Sequence, residues 1–159
     1  MANAGTIRTA TEDRLVELIA ALDDFSAVPT PGKWLVSPPP NTVPQARRWV
    51  VIGTPDGQID PNGLERSHNP QIDVWSIACG LACTDIADPQ EGKQACEDAL
   101  NAIADLLASD HRLGLGATGP REVQVTSIDG PYSAQEQGKP RLSWLNFDIS
   151  CTADIRRNP

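Results

Sequence analysis

The chain has 159 residues, one domain's worth, enough for a core that buries roughly 70% of the surface the unfolded chain would expose. Its 21 acidic and 13 basic residues leave a formal charge of −8, which argues against electrostatic binding to nucleic acid or an anionic membrane surface. Proline is the outlier at 14 residues, while the 40% hydrophobic content is that of an ordinary globule and not of a disordered chain.

In chain order, residues 9–26 read as an amphipathic helix. Thr9 and Glu12 have capping-box spacing, and Leu15, Leu18, Ile19, Leu22 and Phe25 recur at helical intervals. Residues 29–44 hold six prolines, Pro38-Pro39-Pro40 among them, and read as an extended, partly polyproline II connector anchored by Trp34 and Leu35. Residues 49–53 make a short strand. Residues 53–71 then read as a long turn-rich loop, marked by Asp56-Gly57, Pro61-Asn62-Gly63 and Asn69-Pro70. Residues 72–83 are apolar on both faces, which predicts a central strand. The small face of Ala78, Gly80 and Ala82 leaves room for a helix to lie close.

The second helix has the clearest start. Asp88 caps, Pro89 fits the first helical position, Glu91 completes the box, and Cys96, Ala99, Leu100, Ile103, Leu106 and Leu107 form its buried stripe. It should stop between 109 and 114. Two strands close the chain, at 122–128 and 145–155, the latter alternating without fault from Leu145 to Ile155. Residues 129–141 between them exceed a tight hairpin turn and read as a second long loop. The expected fold is α+β: one antiparallel or mixed sheet of about four strands with two helices packed on one face.

Catalytic patterns are weak. Gly114, Gly116 and Gly119 match a dinucleotide fingerprint, but they leave a helix and precede a strand, the reverse of what phosphate binding needs. His68 and His111 stand in loop or helix-end positions with no nucleophile assigned to them. Cys79, Cys83, Cys96 and Cys151 read as buried, reduced core residues. On a strand Cys79 and Cys83 are about 13 Å apart, too far to share one zinc. No cofactor, metal or catalytic residue is expected. There is no apolar run long enough to span a membrane and no secretory leader pattern, so the chain is expected to stay in the cytoplasm where it is made.

The long loops and the tryptophans are the candidate contact features. Trp75 and Trp49 are expected in the core; Trp34 and Trp144, with Tyr132, lie beside loops as partner anchors. From the loops come Asp56, Asn62, Glu65 and Arg66, and then Gln135, Glu136, Lys139 and Arg141. Arg47-Arg48 and Arg156-Arg157 are rim features, able to pair with an acidic neighbour.

The order of helix, connector, strand, the QIDVWSIACG strand, the EGKQACEDALNAIADLL helix and a terminal LNFDISCTADI strand resembles the tail terminator proteins of long-tailed bacteriophages. The likeness is one of organisation and spans most of the chain. It implies a non-enzymatic virion protein, assembled in the host cytoplasm. Six copies would form a ring that caps the tail tube, stops its polymerisation and docks the head-side connector. DNA would pass through without specific binding. The partners implied are a second copy, the tube protein and the connector. A neighbouring head–tail connector role is the alternative, and a small-molecule-binding or enzymatic domain the more distant one.

Overall fold

The computed structural model describes residues 4–36, 47–59 and 71–155. Helix α1 (Ala4–Ala20) is followed by two short strands, β1 (Phe25–Ser26) and β2 (Trp34–Val36). Two long strands follow, β3 (Arg48–Ile59) and β4 (Gln71–Cys83). Helix α2 (Pro89–Ser109) leads through a single 3-10 turn (Gly116–Thr118) to β5 (Glu122–Ala134) and β6 (Leu142–Ile155). One mixed sheet has the order β1-β2-β3-β4-β6-β5, with the β1-β2-β3 pairings parallel and the rest antiparallel. The fold is α+β, as expected, but the sheet has six strands and not four.

Of the two extra strands, β2 comes from the proline-rich stretch and β1 from the end of the expected first helix. Trp34–Val36 pairs with β3, and Trp34 is 3% exposed, a core residue and not a partner anchor. Helix α1 also departs from expectation. It begins before Thr9, and its buried line is Ile7, Thr11, Leu15 and Ile19, every fourth residue. Thr11 is tolerated in that line because its hydroxyl donates to the Ile7 carbonyl at 2.7 Å. The helix ends at Ala20 in i→i−3 hydrogen bonds, Ala21 to Leu18 and Leu22 to Ile19. Phe25 is still buried, but from β1 rather than from a further helical turn.

Helix α2 forms as its sequence dictates. The Asp88 carboxylate accepts from the Gln90 amide at 3.1 Å, Pro89 stands at the start, and Cys96, Ala99, Leu100, Ile103 and Leu107 are buried. Both helices lie on the sheet face formed by Val50, Ile52, Trp75, Ile77, Cys79, Leu81, Val123, Leu145, Phe147, Ile149 and Cys151. Among the described residues no helix covers Ala78, Gly80 and Ala82, contrary to expectation. The bulky side chains of the other parity drew both helices, because they bury more apolar area per contact.

The strands reach further than their patterns suggest. β3 runs to Ile59 by placing one extra residue between Ile52 and Pro55, a bulge that accommodates the proline. Gly53 sits there because an added Cβ would come 2.2 Å from the Ala78 carbonyl oxygen. β5 continues to Ala134 through two such irregularities, between Thr126 and Asp129 and between Asp129 and Tyr132. Only residues 135–141 connect it to β6, so the expected 129–141 loop is half strand. Bulges and Pro131 blunt β5 as an edge.

Helix α1 is fastened to β4 by a charge pair the sequence did not announce. Arg8 donates to both oxygens of Asp73, at 2.8 and 2.6 Å, and its guanidinium lies 5.3 Å from the Trp75 ring centroid. Asp73 is fully buried. Among the described residues, no helix is long and apolar enough to cross a membrane.

Candidate assembly surfaces

Strand polarity separates the two ends of the sheet. The β3–β4 connection, residues 60–70, leaves from the end where Ile59 pairs with Asp73. The β5–β6 connection, residues 135–141, leaves from the opposite end, where Ala134 pairs with Leu142 and Arg48 with Cys83. Of the candidate contact residues, Asn62, Glu65 and Arg66 lie outside the described residues, as do His68 and Arg156-Arg157. Asp56 is in the β3 ladder opposite Ser76, not in a loop; the bulge lets the ladder override its turn signal.

At the hairpin end, Gln135, Glu136 and Lys139 are exposed. Glu136 and Lys139 pair with each other at 2.9 Å, and Gln135 donates to the Lys139 carbonyl at 3.2 Å, so the turn is internally braced. Arg141 is half-buried and donates to the Ser133 hydroxyl at 3.2 Å, holding the two strands together rather than reaching outward. Arg47 is exposed. Arg48 is occupied within its own chain by Asp85, at 2.9 and 3.1 Å, and lies 6.0 Å from the Trp34 ring centroid. It is therefore not free for an acidic neighbour.

The uncovered sheet face includes the small face of β4, against which a helix was expected. On β3 and β4 it carries Val51, Ala78, Gly80, Val74 and Ile72; Val74 is 56% and Ile72 44% exposed. On β6 and β5 it carries Asn146, Asp148, Ser150, Thr152 and Asp154, with Asp129, Thr126, Gln124 and Glu122 opposite. The β3–β4 half is the more apolar, although the register also places Ser76, opposite Asp56, on it; the β5–β6 half is polar and acidic. Thr126 and Ser150 share a hydrogen bond at 2.9 Å, and Arg121 reaches Asp154 at 3.2 Å. At the hairpin end, Trp144 and Tyr132 lie side by side with ring centroids 5.4 Å apart. The Tyr132 hydroxyl donates to Asp129, which raises the phenol's pKa. Trp49, expected in the core, is on this same face and half-buried.

The sites where chemistry would be sought are shallow. A cleft of about 530 Å³ is lined by Pro29, Thr30, Lys33, Arg47, Arg48 and Asp85, with Arg48 and Asp85 already paired. A second, of about 410 Å³, holds His111 beside Ser109, whose hydroxyl donates to the Leu106 carbonyl instead. All four cysteines are buried thiols. Burial pushes Cys79 and Cys151 up to about 12, and a hydrogen bond with Cys83, followed by burial, raises Cys96. Among the described residues no group of three or more His, Cys, Asp or Glu is placed to hold a metal. The glycines from Gly114 to Gly119 lead out of α2 into β5 through the 3-10 turn, the inverted context the sequence suggested.

No family model matches the chain, and no curated protein is significantly similar to it.

Proposed function

We propose that the chain is a structural subunit that assembles head to tail into a ring, the arrangement of a tail terminator capping a phage tail tube. The observation that carries this reading is the open sheet face. Exposed Val51, Ile72, Val74 and Tyr132 share one side of the sheet. Exposed apolar side chains gathered on one face of a sheet suit a surface that a partner covers. Closed rings need two different surfaces per subunit, and the two ends of the sheet, each with its own connection, supply them.

The acidic half of the face fits the same reading. Asp129, Asp148, Asp154 and Glu122 are among the acidic residues that give the chain its net charge of −8. Turned toward the opening, they would repel DNA phosphates and let the duplex pass without sticking. A head–tail connector of similar build is the neighbouring reading.

Mass photometry of the purified chain, alone and with tube protein, tests the proposal. Particles of about six subunits and capped tube ends in negative stain are the expected result. A chain that stays monomeric and never caps tubes overturns it. Replacing residues 135–141 by Asn-Gly, a two-residue turn that can close β5 on β6, should preserve cooperative melting and abolish assembly. Loss of cooperative melting in that variant would show the connection to be structural.

A further inference from the structure

One row of the open face differs from the rest. Trp49, Ala82, Trp144 and Tyr132 are direct neighbours in register across β3, β4, β6 and β5. At about 4.8 Å per strand the row spans about 14 Å. Its floor between the two indoles is the methyl group of Ala82, and its far end is the Trp144–Tyr132 pair, whose rings are tilted by 38°. Aromatic side chains spaced over a small residue are the surface that takes a polyproline II segment. Pyrrolidine rings lie against the aromatic faces, and a preformed helix loses little entropy on docking.

The chain itself contains a proline-rich stretch, which lies outside the described residues. Residues 37–46 include Pro38-Pro39-Pro40 and Pro44. Their two ends are fixed at the height of the row. Val36 pairs with Val50, and Arg47 precedes Trp49 by two residues. Those ends are about 10 Å apart, three residues along a strand, whereas ten residues of polyproline II reach about 31 Å. The segment is thus far longer than its ends require. It departs from the β2–β3 side of the sheet. The most exposed ring of the row, Tyr132 at 43%, is on β5, the opposite edge. The segment leaves the sheet beside the Trp49 end of the row, whereas the Trp144–Tyr132 end lies at the β5 edge, so the segment and the far end of the row stand at one height on different sides of the subunit, as a head-to-tail contact that closes into a ring requires.

We propose that Trp49, Trp144 and Tyr132 form the docking row for the proline-rich segment 37–46 of a second copy of this chain. The inference rests on the ring reading and names the contact between neighbours. It is tested with two full-length variants, Tyr132→Ala and the triple P38S/P39S/P40S, each first shown to melt like the parent. Each should weaken self-association about tenfold or more, while Tyr132→Phe, which keeps the ring, should associate like the parent. A 1:1 mixture of the two variants has one intact contact and should give dimers and nothing larger.

Unchanged association of the triple variant, with rings still formed, overturns this inference and leaves the ring standing. So does the absence of dimers in the mixture. Loss of association in the triple variant with Tyr132→Ala unaffected also overturns it. If the parent itself is monomeric, the ring reading falls, and a synthetic peptide of residues 37–46 titrated against the labelled chain decides the row. A shift of the Trp144 indole resonance supports docking, and no shift at millimolar peptide refutes it. Should Tyr132→Ala fail to fold, the triple variant and that titration decide alone.

Discussion

The two faces of this sheet are cut from the same strands and have opposite physics. On β4, Trp75, Ile77, Cys79 and Leu81 are at most 7% exposed, whereas Val74 and Ile72, from the same strand, are 56% and 44% exposed. One face is finished within the subunit by two helices. The other carries most of its exposed apolar residues on β3 and β4, is acidic over β5 and β6, and has an aromatic row at one end. The difference teaches that an apolar residue in a strand does not declare which partner covers it. Substitutions on the helix-covered face should act on folding, and substitutions on the open face on association.

The largest effect is expected where the covered face meets charge. Asp73→Ala removes the carboxylate that accepts two hydrogen bonds from Arg8 and leaves a cation against Trp75 with its buried partner gone. Loss of one member of a buried pair costs about 3 kcal/mol or more. The value belongs near the low end because the Arg8 side chain keeps 17% exposure. Chemical denaturation should show a lower midpoint at unchanged slope. An effect below about 0.5 kcal/mol, the size typical of surface changes, would mean that the pair is solvated and contributes little to holding α1.

A smaller, graded effect separates the faces by pH. Burial raises Cys79 and Cys151 to about 12 in the folded chain, above the ordinary thiol value of 9.0. The folded state therefore prefers neutral thiols. The stability they confer is complete below about pH 9 and is lost as pH rises from there through about 12. Replacing both by alanine should flatten that alkaline decline, as read from denaturation midpoints between pH 8 and 11. At pH 7 the native thiols should resist a disulfide reagent until the chain unfolds. Fast reaction without unfolding would show that the helix-covered face admits solvent.

What the residues disclosed follows the same division. Helix α2 was legible because its cap, its proline and its stripe all agree. β6 was legible because Leu145 to Ile155 alternates perfectly. Helix α1 was misplaced because Thr9 and Glu12 imitate a cap while Thr11 hides the fourfold spacing of Ile7, Leu15 and Ile19. β2 was missed because prolines on both sides of Trp34 masked a three-residue strand. β3 and β5 were cut short because Asp56-Gly57 and Gly130-Pro131 look like turns, and bulges carried the ladders past them. The polar half of the open face was legible in the alternation of β6, but its apolar half was not. Val74 and Ile72 look like core, and only the placement of both helices on the other side exposes them. Among the proposed contact residues, Trp144 and Tyr132 come together, whereas Trp34 and Arg48 are spent inside the subunit.

The smallest expected change in stability is also the sharpest test of the comparison. Val74→Ser removes an exposed apolar group from the middle of β4 without touching the helix-covered core. A surface substitution of this kind should move subunit stability by no more than about 0.5 kcal/mol. If the open face is covered in an assembly, the same change removes buried apolar area from the interface and weakens association. Sedimentation and thermal melting of one preparation separate the two quantities. A large drop in melting temperature with association intact would reverse the assignment of the faces. Intact association and intact melting together would show that Val74 remains in water in every state the chain adopts, so that any contact made by this face is confined to the aromatic row and the hairpin end.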